Sequence, residues 1–134
     1  MNTDLARRTS MRRCVAIACC VVALGWADAA RATGDAAAGE TVFKKSCAVC
    51  HTTEEGKYKG GPSLHGVVGR HAASDSGYPY SDALKKANKT WDDQTLDAYL
   101  ANPSAAVPGT KMVFLGLKSA DDRQNVIAFL ESQK

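Results

Sequence analysis

Cys47-Ala48-Val49-Cys50-His51 is the stretch on which the reading of this chain turns. Two thiols three residues apart can each add across a vinyl group on one edge of a porphyrin. A histidine directly after the second thiol brings an imidazole to the iron, so C-x-x-C-H is the attachment pattern of a c-type haem. Its weight depends on whether the rest of the chain behaves as a haem pocket.

Upstream of the motif, Arg7, Arg8, Arg12 and Arg13 make a basic start, and Cys14 to Trp26 is an apolar run of 13 residues. That run is too short to span a bilayer. Two small-x-small patterns follow it, Ala27-Asp28-Ala29 and Ala30-Arg31-Ala32, and together these features predict a secretory signal peptide over 1–32, cut after Ala32. The Arg pairs lack the fuller surroundings of a twin-arginine signal. A lipid anchor at Cys19 would need a longer apolar run before the thiol than Val15 to Ala18 supplies. The cut removes Cys14, Cys19 and Cys20, so 33–134 forms the mature domain with only Cys47 and Cys50. A disulfide between them would close almost no loop and would be a poor staple.

The formal charge of +3 belongs to the whole chain. Residues 1–32 carry five Arg and two Asp, and without them the 17 basic and 14 acidic residues fall to 12 of each. In a near-neutral domain neither nucleic-acid nor general membrane binding is implied, and no stable membrane insertion is expected. Lys44, Lys45, Lys57, Lys59, Lys85, Lys86 and Lys111 gather in or near the motif and the loops. Asp92, Asp93, Asp97, Asp121 and Asp122 fall at two expected helix starts, where they offset the helix dipole.

Periodicity predicts a helix from Asp35 to about Ser46, capped by Gly34 or Asp35, with Gly39 on the face that bears Phe43. A second clear helix runs from Ser119 to Ser132, with Ser119 as cap and Val126, Ile127, Phe129 and Leu130 inward. We expect these two terminal helices to pack together. Ser81 to Ala87 suits a short helix, and Thr90-Trp91-Asp92-Asp93 resembles a capping box opening another through Asn102. Pro103 ends that helix or starts a further turn. Residues 52–79 are rich in Gly and Pro and lack periodicity, as loops wrapping a rigid cofactor would. No alternating strand run is present, so the fold class is all-α and loop-rich.

A backbone carbonyl from the Gly60-Gly61-Pro62 turn is a suitable partner for the second ring nitrogen of His51. Met1 and Met11 leave with the signal peptide, which makes Met112 the only methionine of the mature domain. It follows a Pro108-Gly109 turn able to present it to the far face of a haem. A lone Met more often fills a core gap, but behind C-x-x-C-H the ligand reading gains. His65 and His71 are the rival sixth ligands, although both lie close after the attachment site and suit surface or hydrogen-bonded roles better.

Gly39 and Phe43, Cys47 to His51, Gly61 to Gly66, Gly69-Arg70, Tyr78 to Asp82, Thr90-Trp91, Tyr99-Leu100, Asn102-Pro103 and Pro108 to Met112 stand in a familiar order and spacing. Over residues 34–134 the chain resembles a class I, mitochondrial-type cytochrome c of the small soluble bacterial kind. The resemblance implies a cytochrome c fold of three to five short helices and loops around one covalent haem c. It also implies thioethers at Cys47 and Cys50, and His51 and Met112 as iron ligands. Pro62 would orient His51, and Arg70, Tyr80 and Trp91 would hold the propionates. The Tyr99 hydroxyl would reach the Met112 sulfur, and Gly39, Phe43, Val126 and Phe129 would form the helix crossing. Departures are Ser63 for the commoner Asn, Leu84 for a polar Asn, and Ala106 for an aromatic.

A haem with both axial positions filled by protein has no open site for substrate. The reading is therefore a monomeric periplasmic one-electron carrier, not an enzyme, docking through a lysine-ringed haem edge on acidic partner faces. A quinol-oxidising complex, a terminal oxidase, a photosynthetic reaction centre or a dehydrogenase would suit as partners. Two other classes compete. A haem enzyme or gas-binding protein would need a labile sixth ligand, hinted at only by Ala105-Ala106. A thioredoxin-like thiol protein would need a βαβ context that is absent.

Overall fold

In the computed structural model, which describes residues 34–134, helix α1 (Ala36–Ser46) begins where the Asp35 carboxylate accepts the N–H groups of Ala37 and Ala38. The expected signal peptide and its cut lie outside the described residues. Lys44 and Lys45 occupy the last turn of α1, where they face the negative end of the helix dipole. The short α2 (Asp82–Lys86) is capped by Ser81, whose hydroxyl accepts the Leu84 N–H. Helix α3 (Asp93–Ala101) turns Leu96, Tyr99 and Leu100 inward. Asn102 then caps α4 (Pro103–Ala106), with Pro103 in its first turn, so Pro103 starts a turn rather than only ending one. Helix α5 (Ala120–Glu131) opens on Ser119, whose hydroxyl accepts the Asp122 N–H.

The start of α3 differs from the expected capping box. Backbone bonds hold 89–91 extended against the preceding loop: Ala72 N–H to Lys89 O at 2.8 Å, Gly69 N–H to Trp91 O and Trp91 N–H to Arg70 O at 2.9 Å each. The cap therefore falls two residues later, on Asp92, whose carboxylate accepts the Thr95 N–H at 2.7 Å. That bond holds the Asp92 carboxyl below the usual carboxylate range.

The terminal helices cross at Gly39. A Cβ there would run into the backbone carbonyl of Asn125 and the Cβ of Phe129, so only glycine allows this approach. Phe43 and Phe129 pack with ring centroids 5.2 Å apart, and Val126 is fully buried beneath them. Across the helix starts, the Asp35 N–H donates to the Asn125 side-chain oxygen at 2.8 Å. Arg123 ties α3 to α5 and to the segment before it, reaching Asp97 at 2.7 Å, Leu117 O at 2.9 Å and Lys118 O at 3.1 Å. Among the described residues there is no strand, only the isolated bridges Thr52–Ser63 and His71–Thr90. The described residues form five helices with loops, within the three to five that the resemblance implies.

The crossing yields a test in which two physical effects oppose each other. Gly39→Ala gains up to about 1 kcal/mol of helix propensity but forces a methyl into the Asn125 backbone. We expect the collision to win, with a net loss of about 1–3 kcal/mol read as a lower denaturant midpoint at unchanged slope. A raised midpoint would mean that the two helices stand further apart than described.

Candidate functional site

Where α1 runs out, its backbone continues directly into the motif. Cys47 and Ala48 both donate to Phe43 O, at 2.8 and 2.9 Å, and Cys50 and His51 donate to Cys47 O at 3.0 and 2.9 Å. The motif is thus a tight turn fixed to the end of a packed helix. Both cysteines are free thiols, Cys47 half-buried and Cys50 exposed. With His51 they line a cavity of about 360 Å³ whose walls include Leu64, Leu84, Leu96 and Leu100. Burial, aided by the charge of Cys50, pushes the Cys47 thiol up to about 11.

The imidazole of His51 is oriented from one side. Its Nδ1 stands 2.8 Å from Pro62 O, so Nδ1–H is the donor and Nε2 keeps its lone pair. Burial lowers the affinity of the ring for a second proton, opposed by the Pro62 carbonyl. The neutral ring is the form able to bind a metal. Gly61 lies flat against the imidazole, and a Cβ there would collide with ring atoms. This role of Gly61 was not specified from the sequence, although its place beside Pro62 marked the turn.

Met112 lines the same cavity, whereas His65 and His71 do not. Its N–H donates to the Thr110 hydroxyl at 3.3 Å, and that hydroxyl pairs with the Tyr99 hydroxyl at 2.9 Å. The Tyr99 phenol thus pairs with Thr110, two residues before Met112 in the same loop. The sequence drew no attention to Thr110. Its position two residues before the only methionine of residues 34–134 was the available signal.

Arg70, Tyr80 and Trp91 also line the cavity, Tyr80 and Trp91 being buried. Two arms of the Arg70 guanidinium are satisfied by His65 O at 3.1 Å and Ser63 O at 3.3 Å. Its Nε–H is buried with no partner. An orphaned donor of a charged group is costly in a folded protein and suits an anionic acceptor such as a carboxylate. Among the described residues no cluster of three or more His, Cys, Asp or Glu is built to hold a bare metal ion.

Comparison with known proteins agrees with this geometry. Residues 36–134 match the family described as Cytochrome c. The chain belongs to the cytochrome c family. It is 50% identical over 122 residues to cytochrome c2 of Rhodomicrobium vannielii, covering 90% of this chain and 97% of that one. It is likewise 50% identical over 93 residues to cytochrome c of Kluyveromyces lactis, covering 69% and 84% respectively. Among solved structures, cytochrome cH from Methylobacterium extorquens superimposes with a TM-score of 0.70 at 48% identity, covering 74% of this chain and 99% of that chain. Family membership makes the chain an electron carrier rather than an enzyme, and implies a covalent haem c. The residues fit that group: two thiols, an imidazole with a free Nε2, a thioether, an unpaired guanidinium N–H and apolar walls share one cavity.

Because Gly61 is in contact with a ring already anchored by Pro62, Gly61→Ala has no harmless relaxation. We expect it to displace His51, cost about 1–3 kcal/mol and reduce the yield of coloured protein. A purified variant with wild-type melting temperature and visible spectrum would show that the ring has room to move.

Proposed function

We propose that this chain is a periplasmic one-electron carrier holding a single haem c through thioethers at Cys47 and Cys50, with His51 and Met112 as the axial ligands. The observation that carries this reading is that all four side chains line one cavity while the rival histidines do not. Bound there, the haem iron supplies a one-electron couple between the ferric and ferrous states. The protein residues govern how that couple behaves. His51 is held in one tautomer by Pro62, and the Met112 thioether, a soft donor, would favour the ferrous ion and raise the potential. Arg70, with Tyr80 and Trp91, would meet the carboxylate edge, and the leucine walls exclude water from the centre.

The mouth of the cavity suggests how partners dock. Lys111 and Val113 belong to it, and Val113 is wholly exposed at 101%. With the exposed lysines Lys45, Lys57, Lys85 and Lys86, Lys111 would offer positive charge to acidic surfaces of quinol-oxidising complexes, oxidases, reaction centres or dehydrogenases. Among the described residues no helix is long and apolar enough to cross a membrane. Secretion would follow from the basic and apolar start of the chain, with cleavage after Ala32.

Substitution of the sulfur ligand tests the central proposal. Met112→Ala should abolish the weak absorption band at the red edge of the oxidised spectrum, lower the potential and let the ferrous protein bind carbon monoxide. Unchanged spectrum and potential would mean that another residue is the sixth ligand. The mass of the purified holoprotein should equal residues 33–134 plus one haem, and a mass retaining Cys14 or carrying a lipid would overturn the secretion reading. Association with an acidic partner should slow as salt rises, and charge reversal at Lys45 or Lys111 should slow it more than at Lys134. Equal effects at the three positions would remove the docking face.

A further inference from the structure

The segment that carries Met112 is fastened at both ends and open between them. At its start the Thr110 N–H donates to Val107 O at 3.0 Å, and at its end the Leu117 N–H donates to Leu100 O at 2.8 Å. Gly116, at φ +86°, seats that end against α3, where a Cβ would collide with the Ala101 carbonyl. Residues 111–115 form neither helix nor turn, and their exposure alternates: Lys111, Val113 and Leu115 are exposed, Met112 and Phe114 partly buried. A period of two is that of a strand. Val113 and Leu115, 101% and 90% exposed, thus stand side by side on one face.

The backbone here is also unpaired. Among the described residues nothing accepts from the N–H groups of Lys111, Val113 and Leu115, and nothing donates to the carbonyls of Lys111 and Val113. The Leu115 carbonyl accepts the Lys118 ammonium at 3.1 Å, and the Met112 N–H turns back to the Thr110 hydroxyl. Alternate residues of a strand point their N–H and C=O groups to the same side, so Lys111, Val113 and Leu115 make one open ladder edge. Both exposed lysines, Lys111 and Lys118, flank the apolar pair, and residues 103–120 contain no acidic side chain. A second copy of the chain on this edge would bring like charges together. A segment bearing carboxylates would not.

We propose that residues 111–115 are an edge on which an extended segment of the redox partner docks by strand addition, with two apolar side chains at alternate positions and a carboxylate at each end. This rests on the electron-carrier reading above. In an antiparallel register the apolar residues stand opposite Leu115 and Val113, one carboxylate meets Lys111 and the other reaches towards Lys118. Lys111 and Val113 also line the mouth of the haem cavity, so the ladder seats the partner beside it. Charge attraction alone leaves orientation loose, and backbone pairing fixes it.

The probe is an end-blocked heptapeptide with glutamate at both ends and threonine and valine alternating between them, added to reduced holoprotein. Amide-proton exchange, followed by NMR, should slow several-fold at Val113 and Leu115 and stay unchanged at Phe114, whose N–H lies on the other edge. Methylating the two valine nitrogens of the peptide keeps every side chain and charge but removes ladder donors, and should weaken binding several-fold. Leu115→Glu, at a residue outside the cavity wall, should weaken it likewise with the visible spectrum intact. No binding, or binding that leaves exchange at Val113 and Leu115 unchanged or survives methylation, would overturn the ladder. Protection that appears without peptide and grows with protein concentration would make a second copy the occupant and overturn the partner assignment. A wild-type protein without a haem spectrum would instead overturn the electron-carrier reading, which separates the two failures.

Discussion

The approach of α1 to α5 at Gly39 is the constraint on which the remainder depends. A side chain there would meet the Asn125 backbone, so the two helices reach this distance only because the residue is glycine. Once α1 is pinned, its last backbone bonds run from Phe43 into Cys47 and Ala48 and then from Cys47 into Cys50 and His51. The reactive groups therefore inherit their position from a helix crossing. Val126, Ile127 and Leu130 of α5 complete the same core, so the packing that gives the domain its stability also fixes where its chemistry occurs.

Much of this was legible because it rests on local or periodic signals. Cap residues such as Asp35, Ser81 and Ser119, and the apolar spacing of Val126 to Leu130, are properties of contiguous sequence. The thiols and imidazole were visible as a motif, and Met112, singled out as the one methionine of residues 34–134, lines the same cavity. The family resemblance supplied the fold, which membership in the cytochrome c family bears out.

What was not legible is set by contacts between segments far apart in the chain. Thr90 lost the cap to Asp92 because its neighbours are held by the loop around Arg70, a pairing that no local pattern encodes. Tyr99 reaches Thr110 across 11 positions, a pairing to which nothing in the sequence pointed. Ser63, noted only as a departure from the commoner Asn, is buried and donates to Glu54 O at 2.6 Å. Loop geometry of this kind arises from closure of the whole domain, and one-dimensional patterns carry little trace of it.

Lys59 shows how such closure alters the meaning of a charge. Its ammonium donates at 2.7 Å to the carbonyl of Ala48, the residue directly after the first thiol, although the side chain lies at the surface. One exposed cation beside the motif is thus engaged in bracing the attachment turn. A lysine-by-lysine map of partner recognition would register its loss as weakened encounter, when part of the effect would be intramolecular loosening. Acylation of that amine would have the same double character: it would neutralise a surface cation and release a strut.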